Sequence, residues 1–239
     1  MVRISKSKYA DKLIFKGGMC LAQFIDLGRS TKDIDFLLKA VDGNVDVVKN
    51  VIDEIASIEI GDDFVFSQTH VSTLSETHKK YPGYRIRVQG QLGQIQQPIS
   101  IDIGVGDVVR PSVLQIELLQ SDKPLFESSV SLQAYPPEYI FSEKYEAIIY
   151  LGEINGRMKD FYDCHNLILN DLLDSSKLKR AIQETFKQLE TEIGLIDQTC
   201  KTAHQKRWEA FKRKEEISIG DISSVIDEIN AFVEGHVNF

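Results

Sequence analysis

The chain has 239 residues, of which 42% are hydrophobic and 27% charged, as in ordinary globular proteins. Its 28 Lys and Arg residues are outnumbered by 36 Asp and Glu residues, and the resulting net charge of −8 argues against generic DNA binding, which needs a strongly basic surface. Because the sequence has neither an apolar run of membrane-spanning length nor the apolar core of a secretory signal, we expect a cytoplasmic protein with no membrane partner.

Short apolar runs that alternate with glycine-containing turns predict an α/β domain over residues 1–129. A first run ends at Lys16, and the Gly17-Gly18 pair then predicts a tight turn before an apolar helix. A strand is predicted over Asp33–Leu38, and apolar residues at helical spacing predict an amphipathic helix over Val45–Ile55. Three later runs have the composition of strands: Phe64–Thr69, Tyr84–Gln89 and Ile99–Val105.

From Pro136 onward the sequence has only helical periodicity, which predicts an all-helical domain over residues 130–239. The two halves together predict an α+β fold, with a mixed sheet and helices followed by an all-helical C-terminal region. We expect the helical domain to complete an active-site cleft. The predicted helices are Pro137–Leu151, Arg157–Asn170, Lys177–Glu192, Thr199–Glu215 and Asp221–Glu234.

Acidic side chains on the predicted sheet indicate a metal site. Asp33 and Asp35 point the same way, about 6.5 Å apart at Cα, because strand side chains alternate between faces. Asp102 lies between Ser100 and Gly104 on the polar side of a later strand. If the strands are neighbours, three carboxylates converge and suit Mg²⁺ or Mn²⁺ together with substrate phosphates. The alternatives are a polar edge strand for the aspartate pair and a solvated acid near a turn for Asp102.

Residues upstream of these acids are candidates for phosphate binding. Gly17 and Gly18 let the backbone approach a phosphate without obstruction by a Cβ, and the following helix offers free N–H groups. Arg29 and Thr31 are expected to supply a cation and a hydroxyl to phosphate oxygens. A plain tight turn is the alternative for the glycine pair.

Two charged residues lie where helical periodicity places apolar ones. Lys144 is at the centre of the apolar stripe of its predicted helix, and Asp160 is on the apolar face of the next helix. Buried and unpaired, each would cost several kcal/mol. Either the two form a structural ion pair, or both face the cleft, where Lys144 neutralises phosphate and Asp160 orients it or acts as a base. Asp163 is expected to be solvated or to support them.

Four short motifs resemble, in order and approximate spacing, those of the AbiEii/AbiGii toxin family. They are Lys16–Leu21 (KGGMCL), Arg29–Phe36 (RSTKDIDF), Phe141–Ala147 (FSEKYEA) and Arg157–Asp163 (RMKDFYD). Members of the family are nucleotidyltransferase-fold proteins akin to the MenT toxins, often the toxic half of type IV toxin–antitoxin pairs. Thr31 stands where relatives usually have Ser, and the glycine pair replaces the Gly-Ser of many nucleotidyltransferases, which removes one phosphate-contacting hydroxyl.

The resemblance implies metal-dependent transfer of a nucleoside monophosphate from an NTP to an acceptor hydroxyl. It implies that Asp33 and Asp35 bind the catalytic metal, that Asp102 is a less closely matched third ligand, and that Lys144 and Asp160 are the later catalytic residues. It suggests RNA as the acceptor, with the 3′ end of tRNA as the first candidate. It also suggests an antitoxin as a candidate partner. The residues assigned to nucleotide binding are Lys16, Gly17, Gly18, Arg29, Thr31 and Lys144.

Two basic features bear on the acceptor. The segment Lys201–Lys214 carries six basic residues against one acid, and is either an RNA-binding helix or a solvated face with Trp208 and Phe211 packed inward. Arg85 and Arg87 share one strand face and are candidates for phosphate contact, or simply keep the strand soluble.

Two other functions stay open at this point. One is a catalytically idle protein of the same fold that binds a nucleotide or a partner, and the other is a metal-dependent phosphodiesterase. Metal-independent nucleotide binding without transfer would favour the first, and release of free nucleotide from RNA the second. The glycine pair ahead of the acids favours transfer, because hydrolysis alone gives no reason for it.

Overall fold

The structure is a computed structural model that describes residues 1–39, 44–74, 83–118 and 128–237. Its contacts divide the chain into two compact units. The sheet unit comprises Met1–Gln23 and Lys32–Tyr135, and the helical unit comprises Phe24–Thr31 and Pro136–Phe239. The division after Tyr135 lies six residues beyond the predicted boundary at 129/130. The sequence did not predict that Phe24–Thr31 belongs to the helical unit.

The described residues of the sheet unit form one mixed sheet. Its strands are β1 (Leu13–Lys16), β2 (Ile34–Leu38), β3 (Phe64–Leu74), β4 (Gly83–Leu92), β5 (Ile95–Val105), β6 (Ser112–Glu117) and β7 (Ser129–Ala134). They lie in the order β3-β4-β5-β2-β1-β7-β6. β2 runs parallel to β5 and β1 parallel to β7, while the other neighbours are antiparallel. The helices of this unit are α1 (Val2–Ser5), α2 (Gly17–Leu21) and α3 (Val45–Ala56).

The centre of the sheet supplies the core of this unit. β1 is buried along its whole length, as expected of a central strand. Phe15 on β1 packs against Phe36 on β2 with ring centroids 5.5 Å apart. α3 is amphipathic as predicted, and begins where the Asn44 side chain accepts a hydrogen bond of 2.9 Å from the Val47 N–H.

The helical unit contains α4 (Pro137–Leu151), α5 (Met158–Leu169), α6 (Ser175–Leu189), α7 (Thr199–Glu215) and α8 (Ile222–His236), with a short 3₁₀ turn over Gly152–Ile154. The bounds of α4 and α7 are those predicted, and the other three helices agree to within three residues. The predicted α+β fold with an all-helical C-terminal region is therefore confirmed. In the described part of the chain, no helix has the length and hydrophobicity needed to cross a bilayer.

Candidate active site

Four charged residues form a row across four adjacent strands of the sheet unit. The strand register pairs Arg85 of β4 with Asp102 of β5, Asp102 with Asp35 of β2, and Asp35 with Lys16 of β1. Adjacent strands are about 4.8 Å apart and paired residues share a face, so the four side chains leave the sheet on one side. We call this set the charged row; its two carboxylates lie between two cations.

Arg85 joins one end of the charged row to Asp33, which comes just before β2. Its Nε and Nη2 atoms donate to the two carboxylate oxygens of Asp102, at 2.8 and 2.7 Å. Nη2 also reaches Oδ2 of Asp33 at 3.4 Å. The side chain of Asp33 is 49% exposed, against 16% for Asp102. The hydrogen bonds that Arg85 donates to Asp102, together with the nearby carboxylates, raise the pKa of Arg85, which therefore stays cationic.

Lys16, at the other end of the charged row, is buried in an ion pair. Its Nζ donates to Oδ2 of Asp107 at 2.6 Å and lies 4.7 Å from the centroid of the Tyr135 ring. An open pocket of the sheet unit adjoins the row, and the polar residues that line it are Lys16, Asp35, Asp102 and Asp107. The two aspartates of the row thus have open space beside them.

Gly17 makes room for the carboxylate of Asp35. Its φ is +71°, and a Cβ built at this position would lie 2.1 Å from Oδ2 of Asp35. Both the backbone conformation and the close approach require glycine here. The sequence pattern suggested a phosphate for this space, but an aspartate of the same unit takes part of it. The assignment of Lys16, Gly17 and Gly18 to nucleotide binding stays a prediction.

A buried network of ion pairs joins α4 to α5 in the helical unit. Nζ of Lys144 lies 2.9 Å from Oδ1 of Asp160 and 2.7 Å from Oδ2 of Asp163. Nε of Arg157 donates to the other oxygen of Asp160 at 2.6 Å. Arg29 donates to both oxygens of Asp163, at 2.7 and 2.6 Å. We call these five residues the ion-pair network; both of its aspartates are fully buried.

Asp160 and Lys144 are both ionised at neutral pH. Burial alone would raise the pKa of Asp160, but Lys144 and Arg157 outweigh it and lower that pKa to about 2. Burial also favours the neutral amine of Lys144, but Asp160 and Asp163 outweigh it and raise the pKa of Lys144. Three cations then face two carboxylates, which leaves one positive charge in excess. A carboxylate this acidic is a weak base, so the geometry suits Asp160 to holding cations rather than accepting a proton.

The segment Phe24–Thr31 is held within the helical unit by polar contacts. The side chain of Arg29 is only 4% exposed because it lies against Asp163. The backbone N–H and the hydroxyl of Ser30 donate to Glu215 on α7, at 3.0 and 2.8 Å. The guanidinium of Arg29 thus binds a carboxylate of the protein itself. The assignment of Arg29 and Thr31 to nucleotide binding stays a prediction.

Arg157 and Asp107 were not assigned a role from the sequence alone. Arg157 lies three residues before Asp160, a spacing that indicates an ion pair on a helix. Asp163 is buried and belongs to the network, so the expectation that it supports Lys144 is met and the alternative that it is solvated is wrong. Asp107 follows a Gly-containing segment after β5, and no local pattern pairs it with Lys16.

The basic segment of α7 is largely engaged within the helical unit. Trp208 is fully buried, as predicted, and its indole donates to the carbonyl of Gly220. The contacts of the basic side chains are Lys201 to Asp227, Lys212 to Glu209, Lys214 to Glu215 and Arg207 to the carbonyl of Glu153. These contacts favour a solvated face held by local pairs over a continuous RNA-binding surface.

A family model described as the nucleotidyl transferase AbiEii toxin of type IV toxin–antitoxin systems matches residues 1–230. The chain belongs to this family. The resemblance carried by the four AbiEii motifs is thereby confirmed, and membership gives the chain its class, a nucleotidyltransferase toxin of a type IV system. The charged row contains AbiEii motif residues Lys16 and Asp35, and all five residues of the ion-pair network come from AbiEii motifs.

The solved structures that match this chain include two proteins of Helicobacter pylori. JHP933 is 13% identical, with a TM-score of 0.47, over 97% of this chain and 84% of its own. A protein assigned as a nucleotidyltransferase is also 13% identical, with a TM-score of 0.49, over 97% of this chain and 87% of its own. At this level of similarity neither structure informs the activity of this AbiEii-family chain. A search of curated proteins gave no match.

Proposed function

We propose that the chain transfers a nucleoside monophosphate from an NTP to a hydroxyl of RNA, with the 3′ end of tRNA as the first candidate acceptor. The observation that carries the proposal is the pair Asp33, just before β2, and Asp35, on β2 and lining a pocket, in a chain of a nucleotidyltransferase family. In this reaction the acceptor oxygen bonds to the α-phosphorus as the bond to pyrophosphate breaks, and the hydroxyl proton is released.

Asp33 and Asp35 fit a divalent cation by the chemistry of their donors. They offer hard carboxylate oxygens two residues apart, which is the donor type that Mg²⁺ and Mn²⁺ prefer. Asp33 is half exposed and Asp35 lines the open pocket, so substrate oxygens have access to both. A cation bound there supplies positive charge to the triphosphate and lowers the pKa of the attacking hydroxyl. Gly17 supports this role because it lets the Asp35 carboxylate lie close to the backbone.

In this proposal Lys144 supplies a fixed positive charge for the phosphates. Its two aspartate partners keep it protonated and hold its orientation, so no reorganisation is required when an anion binds. Asp160 acts as a positioning residue through Lys144 and Arg157, and not as the base. Arg157 has 40% of its side chain exposed and is a further cation for the same anion. Both clusters are assigned to one reaction on the strength of the family motifs that carry them.

Family membership also supports an antitoxin as a partner, and the acceptor RNA would be the target of the toxin. The class of the enzyme supports both partners, and the geometry of Asp33, Asp35 and Lys144 supports their proposed roles.

The proposal is tested with each of the four NTPs labelled with ³²P at the α- or the γ-position, incubated with the protein, Mg²⁺ or Mn²⁺ and total cellular RNA. We expect label from the α-position alone in RNA of tRNA size, and none after EDTA treatment. Release of free nucleotide from RNA would indicate a phosphodiesterase instead. Nucleotide binding without any labelled acceptor would indicate an idle binding protein, and either result contradicts the proposal.

A further inference from the structure

Arg85 binds both carboxylate oxygens of Asp102. The guanidinium binds both carboxylate oxygens through its Nε and Nη2 atoms, at 2.8 and 2.7 Å. The two residues are register partners on β4 and β5, so the strand pairing itself places them together. A two-bond contact of this kind is among the strongest that a carboxylate makes with a side chain.

The same contact places a permanent positive charge beside any cation at Asp33. Nη2 of Arg85 is 3.4 Å from Oδ2 of Asp33, and a second divalent ion between Asp102 and Asp33 would meet that charge at close range. In the part of the chain that the structure describes, no group of three or more Asp, Glu, His or Cys side chains is arranged to hold a metal. We therefore keep the cation at Asp33 and Asp35, where the proposed function places it, and assign Asp102 to Arg85.

We propose that Arg85 takes the place of a metal ion at Asp102, so that the site binds one divalent cation, through Asp33 and Asp35. The proposal rests on the proposed function, which places the cation at these two residues. Arg85 then provides, without a second metal, a fixed positive charge on the side of the site where Asp102 lies. Its role is that of a positioning residue that keeps Asp102 out of the metal's coordination.

The test counts Mn²⁺ ions per chain by titration, with free Mn²⁺ followed by electron paramagnetic resonance. We expect one ion in the wild type. Arg85→Gln frees Asp102 and is expected to add a second ion or to tighten binding at least about fivefold, because the ligand charge at the site rises. In Arg85→Gln/Asp102→Asn both partners are removed, and binding should return to within about twofold of the wild type.

Arg180→Gln is the charge-matched control, since it removes one positive charge at an exposed position of α6 and should leave binding unchanged. Thermal unfolding of each variant establishes that it is folded. Two ions in the wild type, no ion in the wild type, or an Arg85→Gln variant that binds like the wild type would each overturn the proposal. A double variant that keeps the stronger Mn²⁺ binding of Arg85→Gln would also overturn it, because Asp102 would then not be the source of that binding.

Transfer of labelled nucleotide is measured on the same preparations, which separates this proposal from the proposed function. If the wild type transfers nucleotide and Arg85→Gln gains no metal affinity, only the role of Arg85 is wrong. If the metal pattern is as expected and no preparation transfers nucleotide to any acceptor, only the proposed function is wrong.

Discussion

The carboxylate of Asp35 lies directly against the backbone of Gly17, so closely that a Cβ on Gly17 would be 2.1 Å from its Oδ2 atom. Gly17 follows β1 directly and Asp35 lies on β2, the neighbouring antiparallel strand. The contact therefore links two of the motifs typical of the AbiEii family. It also gives one member of the glycine pair a steric role in placing a proposed metal ligand.

Gly17→Ala is expected to abolish transfer by displacing Asp35. A shift of about 1 Å in a catalytic group can reduce the rate about 100-fold, and we expect at least that loss. Gly61→Ala is the matched control, because Gly61 has a similar φ of +74° but no atom within 4 Å of an added Cβ. Both variants should lose roughly 1 kcal/mol of stability to backbone strain. Equal transfer rates in the two variants would show that the Asp35 contact is dispensable.

Lys144→Met is expected to lower both stability and activity. It leaves two fully buried aspartates with one fewer cation, and breaking a buried pair in this way destabilises by about 3 kcal/mol or more. Lys177→Met, on an exposed position of α6, should stay within about 0.5 kcal/mol of the wild type. Urea unfolding measures both, and a Lys144→Met variant as stable as the wild type would contradict the buried network.

Arg29→Lys is expected to act on stability more than on nucleotide binding. A lysine cannot reproduce the two-bond contact with Asp163, and the loss should be about 2 kcal/mol of unfolding free energy. Arg180→Lys, an exposed position of α6, is the control. Calorimetry with each NTP should give dissociation constants within about twofold of the wild type. A nucleotide affinity at least about tenfold weaker would return Arg29 to the phosphate-binding role that its sequence position suggested.

The ion-pair network predicts a specific acid sensitivity of the helical unit. The pKa of Asp160 is lowered from 3.8 to about 2 in the folded state, so its stabilising contribution is complete above about pH 4. That contribution is lost as the pH falls from about 4 to 2. The difference in unfolding free energy between the wild type and Asp160→Asn should therefore be constant near neutral pH and shrink below pH 4. A difference that stays constant down to pH 2 would show that Asp160 is not held ionised by its neighbours.

Periodicity predicted most elements because the helical unit is built from regular amphipathic helices with recognisable ends. β6 and β7 were missed since neither has a long apolar run. They pair with each other, and β7 joins the sheet by pairing with β1, which is distant in sequence. The helical turn α1 has four residues, too few for periodicity to show. Because β7 was not recognised as a strand, the predicted domain boundary lies at its start instead of after Tyr135.

A site residue could be predicted where the sequence pattern that marks it lies within one helix or strand. Asp33 and Asp35 are two residues apart, and Lys144 and Asp160 break apolar helical faces, so each could be found from local pattern. The partners could not, because Arg85 reaches Asp102, Asp107 reaches Lys16 and Arg29 reaches Asp163 across 17, 91 and 134 positions of the chain. Strand register and helix packing decide such pairs, and neither is readable from one sequence without the fold.

The most direct test of the account is the rate at which Asp33→Asn transfers α-labelled nucleotide to RNA, compared with Asp46→Asn, which makes the same change at an exposed position of α3. If Asp33 binds the metal that activates the triphosphate, the Asp33→Asn rate falls at least about 100-fold while its thermal unfolding is unchanged. Asp46→Asn should stay within about twofold of the wild type. A folded Asp33→Asn protein that transfers nucleotide at the wild-type rate would contradict the account.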